Sequence, residues 1–148
     1  MTKLADYGIV ILTHMAMEAP GTLHTAQDLA SKSRVPVPTA SKLLKSLARA
    51  GLVISHRGRN GGYGLSRDAE SISVAQIIAA IEGPIGLTEC GTGTEGACEM
   101  ESFCAAKGRW APINQAIERA LSEVPLSAMR PQPTERLVRL ELGSEVAP

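Results

Sequence analysis

Apolar residues recur at helical spacing in five stretches of this 148-residue chain and alternate with polar ones in two short runs. Over residues 4–18, LADYGIVILTHMAME, the positions Ile9, Leu12 and Ala16 share one face and predict a first helix, ended by Pro20 and Gly21. In AQDLASKS, Ala26, Leu29 and Ala30 form a shorter stripe, with Thr25 as its N-cap and Asp28 at the third helical position. Two prolines, Pro36 and Pro38, then interrupt the pattern. The clearest signal follows over 38–50, PTASKLLKSLARA. Ala40, Leu43, Leu44, Leu47 and Ala48 fall on one buried stripe, and Gly51 stops the helix.

The opposite face of that third helix holds Thr39, Ser41, Lys42, Lys45, Ser46 and Arg49, which are short hydrogen-bonding groups and cations without an acid. Two short helices joined by a tight turn, the second with such a face, predict a helix-turn-helix. The runs LVISH (52–56) and YGLSR (63–67) are strand candidates around RGRNGG (57–62), where Asn60-Gly61 signals a hairpin. Arg57 and Arg59 at its tip suit phosphates or a narrow groove, so the hairpin is read as a DNA-binding wing.

Ser73 and Gln76 fit a capping box ahead of Val74, Ile77, Ile78 and Ile81, a fourth helix that Gly83 and Pro84 end. Residues 105–124 read as the longest helix, with Trp110, Ile113, Ile117, Leu121 and Val124 on one side and Pro112 marking its start or a kink. So apolar a stripe beyond a finished small core predicts packing on a second copy of the chain. The proline-rich remainder predicts a flexible tail with at most a short helix over 134–142. The expected fold is therefore mainly α with a small β-hairpin. A winged helix-turn-helix DNA-binding domain (1–83) leads, through a cysteine loop (84–104), to a long C-terminal dimerisation helix (105–124) and the tail (125–148).

Charge sharpens this picture. The net charge is zero, yet residues 30–67 hold Lys32, Arg34, Lys42, Lys45, Arg49, Arg57, Arg59 and Arg67 with no acid among them. Such a segment is either a solvated helical face or the footprint of a polyanion. A protein-binding winged helix is the rival reading, and the acid-free face argues against it. No run is long enough for a membrane span, and no secretory pattern opens the chain, so a cytoplasmic protein is expected. No phosphate loop, H-E-x-x-H, G-x-S-x-G or C-x-x-C is present, which speaks against an enzyme.

All three cysteines lie in one glycine-rich stretch, Cys90, Cys98 and Cys104, spaced C-x7-C-x5-C with Gly91, Gly93 and Gly96 between the first two. A clustered odd set suits reduced thiols and a metal or cluster site more than a disulfide framework. Three chemistries stay open: an iron–sulfur cluster, for which thiolates are the chief ligands; zinc, disfavoured by the wide spacing; and a metal-free thiol–disulfide switch. His14, His24 and His56 are better placed for core or surface roles. Glu89, Glu95, Glu99 and Glu101 beside the loop serve solubility or offer a labile ligand.

The run from LASKSRVPVPTASKLLKSLARAGLV through RGRNGGYGLSR to the cysteine triplet and a Trp-containing helix resembles the iron–sulfur winged-helix regulators of the IscR and NsrR type. The SUF-system regulators of cluster assembly are the nearest in look, and the resemblance covers residues 1–125. It implies a homodimer that binds a palindromic operator in double-stranded DNA and responds to a [4Fe-4S] or [2Fe-2S] cluster. Alternatively, it implies a nitric-oxide or redox-sensing repressor of the same kind. It places Cys90, Cys98 and Cys104 on the cluster ligands, Arg57 on the wing arginine, and Thr39, Ser41 and Lys42 on the recognition helix. Two departures stand out. The first cysteine gap is seven residues where many members have five, and Lys107 stands where IscR-type proteins place a histidine. Asp6, before Tyr7-Gly8, occupies the place of an aspartate found in nitric-oxide-sensing relatives. It either completes the site, from its own or the partner subunit, or caps or charges the first turn of its helix.

Overall fold

The computed structural model describes residues 1–132, among which lie five α-helices and one two-stranded antiparallel sheet. Helix α1 (Lys3–Ala16) is the hub, burying Ile9, Ile11, Leu12 and Met15 against α2 (Ala26–Ser33), α3 (Val37–Arg49) and α4 (Val74–Glu82). A Cβ placed on the buried Gly8 would overlap Ile81 Cδ1, so glycine is what lets α1 and α4 meet this closely. Thr25 caps α2 as expected, its Oγ1 accepting from the Asp28 N–H at 3.0 Å. Arg34 takes a left-handed conformation (φ 57°) to close the turn into α3. Leu43, Leu44 and Leu47 fill the inner face of α3.

Strands β1 (Val53–His56) and β2 (Gly62–Leu65) pair from Val53 with Leu65 to His56 with Gly62. The loop before α2 adds a third, single-residue rung. His24 N–H donates to Tyr63 O at 2.8 Å, and Tyr63 N–H donates to His24 O at 2.7 Å. That rung fastens the wing to the helix-turn-helix. It also requires glycine, because a Cβ on Gly62 would sit 2.6 Å from the His24 carbonyl oxygen.

The His24 ring is buried there with no partner for Nε2. Burial first, and Lys32 nearby second, hold its pKa below the ordinary value. The unfolded chain therefore binds this proton more readily than the folded one. The stability contribution is full above the unfolded value of about 6.5 and is lost as pH falls below it, toward the lower folded pKa. Urea midpoints compared at pH 7.5 and 5.5 are expected to drop more for the wild type than for His24→Phe. Equal drops would assign the acid sensitivity to other groups.

Helix α4 begins with the complete predicted capping box. Ser73 Oγ accepts from Gln76 N–H, and Gln76 Oε1 accepts from Ser73 N–H. Helix α5 (Ala111–Ser122) corrects the expectation of a helix from 105 that would be the longest in the chain, since at 12 residues it is shorter than α1, at 14. Residues 105–110 form separate turns instead. Gly108 has φ 73°, which interrupts a helix, and Pro112 belongs in a first turn, where its missing N–H has no partner to lose.

The expected flexible tail is corrected over its first residues. A 3-10 turn, Leu126–Met129, docks on the core with Leu126 fully buried, and Leu126 N–H donates to Ile72 O at 2.7 Å. The short helix expected over 134–142 lies outside the described residues. Among the described residues no helix is long and apolar enough to cross a membrane.

Candidate nucleic-acid interface and cysteine loop

The polar face predicted for α3 is on the outside. Lys42, Lys45 and Arg49 are exposed along it, and Thr39 and Ser41 are half-buried near its start. Arg57 and Arg59 are exposed at the hairpin tip, where Gly58 (φ 107°) and Gly61 make the turn. A Cβ on Gly61 would overlap the His56 carbonyl oxygen, so the tip tolerates no side chain at that position. None of Arg34, Lys42, Lys45, Arg49, Arg57 or Arg59 is paired with an acid among the described residues. Unpaired cations on two adjoining elements leave their charge available to a polyanion.

Two other cations of the basic stretch are used internally. Lys32 pairs with Glu18 at 3.0 Å, an exposed contact that also holds the Glu18 carboxyl below its ordinary pKa. Arg67 is a staple: its guanidinium donates to Ser71 O (3.0 Å), to Gln76 Oε1 (3.2 Å) and to Gly51 O (3.4 Å). It thereby joins the end of the wing, the cap of α4 and the glycine just beyond α3.

The cysteine loop is built of local turns. A 3-10 turn, Glu89–Thr92, carries Cys90, whose Sγ lies 3.2 Å from Thr88 Oγ1. Gly93 and Gly96 have positive φ and bend the chain back, and Glu101 accepts from Gly96 N–H at 3.1 Å. Lys107 is engaged with Glu101 at 3.5 Å. Cys90, Cys98 and Cys104 are all free thiols and all half-buried. As a donor set they fit an iron–sulfur cluster, for which thiolates are the chief ligands. Their arrangement is open: among the described residues no three His, Cys, Asp or Glu side chains are gathered closely enough to hold a metal ion. Asp6 is exposed in the first turn of α1 and joins no such group. Loading would therefore require the glycine-rich loop to close.

Helix α5 joins this loop to the winged helix. Its one buried residue is polar, Asn114, 4% exposed, whose Oδ1 accepts from Leu87 N–H at 3.0 Å. Its far end is hydrogen-bonded to the start of α4, with Val74 N–H donating to Val124 O at 2.9 Å beside a Ser73–Pro125 bridge. Ser73 and Gln76 then lead to Arg67, and Arg67 to Gly51. A run of hydrogen bonds and one rigid helix thus connects the turn holding Cys90 with the end of α3.

The reading of the sequence missed three participants. Asn114 looks like a surface residue between apolar Ile113 and Ile117, and only its place four residues after Trp110 hinted at an inward position. Val37 is exposed at the head of α3, where an apolar side chain suits a thymine methyl group. Arg67 carries no mark that separates it from the cations facing solvent.

A family model described as "Rrf2: Iron-dependent Transcriptional regulator" matches residues 1–131. An HTH-type transcriptional regulator of Mycobacterium tuberculosis is 36% identical over 85 residues, 57% of this chain and 53% of its own; the chain thus spans about half the length of that relative. The HTH-type transcriptional regulator IscR of Vibrio parahaemolyticus is 26% identical over 129 residues, covering 87% of this chain and 76% of its own. Among solved structures, CymR, the global cysteine regulator of B. subtilis, matches with a TM-score of 0.67 and 26% identity over 87% of this chain and 94% of that one.

Proposed function

Because this chain belongs to the Rrf2 family of winged-helix transcriptional regulators, which are not enzymes, we propose that it binds a palindromic operator as a homodimer and reports on an iron–sulfur cluster. In this reading Cys90, Cys98 and Cys104 hold the cluster, Asp6 of the partner subunit completes the ligand set, and the regulated genes are those of SUF cluster assembly. The carrying observation is the position of three free thiols on an open loop between the winged helix and α5. Cys90, Cys98 and Cys104 would hold the cluster, which would supply sensitivity to redox state and iron supply. The chain's residues do the rest: the glycine-rich loop closes, α5 carries the movement, and the recognition helix is re-aimed. Two recognition helices must lie about one DNA turn apart to fill a palindrome, so a small change in their angle changes affinity. Ile113 (46% exposed) on α5 and Val124 just beyond its end leave apolar surface that suits a second copy.

One observation favours a second reading, a metal-free thiol switch. The cysteines are free and not gathered into a metal-binding group, which suits thiols that react singly with an oxidant.

Iron and acid-labile sulfide per chain, counted after anaerobic reconstitution and paired with operator binding of loaded and unloaded protein, separate the two. A visible cluster with a change in operator affinity on loading supports the first reading. Colourless protein whose affinity responds to peroxide supports the second.

The DNA face makes its own prediction. Arg57→Ala is expected to weaken operator binding by about 1–3 kcal/mol, with a smaller loss on random DNA. Lys45→Ala is expected to weaken both alike and to reduce the salt slope by about one. Equal losses for Arg57→Ala on both DNAs would restrict that arginine to the phosphate backbone.

A further inference from the structure

Asn114 has an unused half. Its Oδ1 is taken by Leu87 N–H, but its Nδ2 group is buried without an acceptor. An orphaned buried donor costs about 1–3 kcal/mol, so it calls for an explanation. The amide is aimed at the turn that carries Cys90: a Cβ on Gly91 would overlap Asn114 Nδ2, and would stand 3.0 Å from Thr88 Oγ1. That same threonine oxygen lies 3.2 Å from Cys90 Sγ. Gly91 thus clears the space through which the carboxamide reaches the backbone next to a thiol. Asparagine here is also an unexpected choice for packing, because it is the single buried residue of a helix whose neighbouring Ile113 stays largely exposed.

We propose that Asn114 is a positioning residue of the cysteine site, with its two halves in different roles. The oxygen latches the loop to α5 through Leu87, whether or not the site is loaded. The N–H donor is held for a sulfur acceptor, the Cys90 thiolate or a cluster sulfide, that arrives when the loop closes. A hydrogen bond to a ligating sulfur stabilises its negative charge and slows loss of the metal. The donor's role rests on the cluster reading above, whereas the latch does not.

Two substitutions separate the halves: Asn114→Asp keeps an acceptor for Leu87 and removes the donor, and Asn114→Leu removes both. In the unloaded protein, hydrogen exchange of the Leu87 amide is expected to stay slow in the wild type and in Asn114→Asp and to become fast in Asn114→Leu. After reconstitution with ferrous iron and sulfide, removal of iron by a chelator is expected to be faster in both variants, by about 10–100-fold. Chelator rates equal to wild type in Asn114→Asp would overturn the donor's role. Free exchange of Leu87 in the wild type would overturn the latch. A wild type that takes up no iron would overturn the cluster reading and the donor with it, leaving the exchange experiment to decide the latch.

Discussion

Leu126→Ala is expected to lower the free energy of unfolding by about 2–5 kcal/mol, the range for truncating a buried leucine. Leu126 is fully buried in the core that contains Ile11, Leu12 and Ile72, although it lies beyond α5. Its backbone N–H is bonded to Ile72 and its turn packs on α1, so the surroundings cannot easily collapse into the space left behind. For a fold of this size that loss corresponds to a fall in Tm of roughly 6–16 °C. Urea unfolding and calorimetry would both register it. Met129→Ala, at an exposed position three residues on, serves as the control and is expected to change stability by less than about 0.5 kcal/mol. A Leu126→Ala protein as stable as the control would mean that the turn leaves the core in solution.

The second large effect concerns the thiols. Replacing any one of Cys90, Cys98 or Cys104 by alanine is expected to abolish the stable visible absorbance of reconstituted protein while leaving the far-UV circular dichroism unchanged. No cysteine belongs to the hydrophobic core, so the helices do not need the sulfur. The site does, because a three-thiol set reduced to two leaves the metal with carboxylate or water in place of a soft ligand. Lys107 cannot stand in: it is engaged with Glu101, and a protonated amine has no lone pair to offer. Asp6→Ala should weaken retention without abolishing colour if the aspartate is the fourth ligand. Loss of helical signal on losing one thiol would instead identify a structural metal.

Much of this architecture was legible where local chemistry sets local structure. Thr25 with Asp28, and Ser73 with Gln76, announce helix starts because a side-chain oxygen must satisfy an orphan N–H there. Asn60 and Gly61 mark the wing because its turn admits no side chain at position 61. The basic face of α3 was legible too, since the amphipathic period separates it cleanly from Leu43, Leu44 and Leu47. What stayed hidden depends on contacts between distant residues. A lone leucine after Pro125 has no periodicity to reveal its burial. Trp110 lent an apolar stripe to the segment before α5, but Gly108 outweighs it by breaking the helix. The separation of Arg67 from the other arginines is a matter of what surrounds it. The three-cysteine motif marked candidate ligands, yet spacing says nothing of whether the loop holds them open or closed.

Helix α5 is anchored at both ends, by Asn114 to the Leu87–Gly91 turn and by Val124 and Leu126 to the start of α4. It therefore works as a ruler. One residue inserted between those anchors would turn them about 100° relative to each other and part them by about 1.5 Å, so only one end could stay seated. The stretch from Gly93 to Gly108 has no such constraint, and its turns can lengthen or shorten without disturbing either anchor. Relatives of this protein should accordingly differ in the number of residues between their first and second cysteines while keeping the count from the Asn114 position to the Leu126 position fixed.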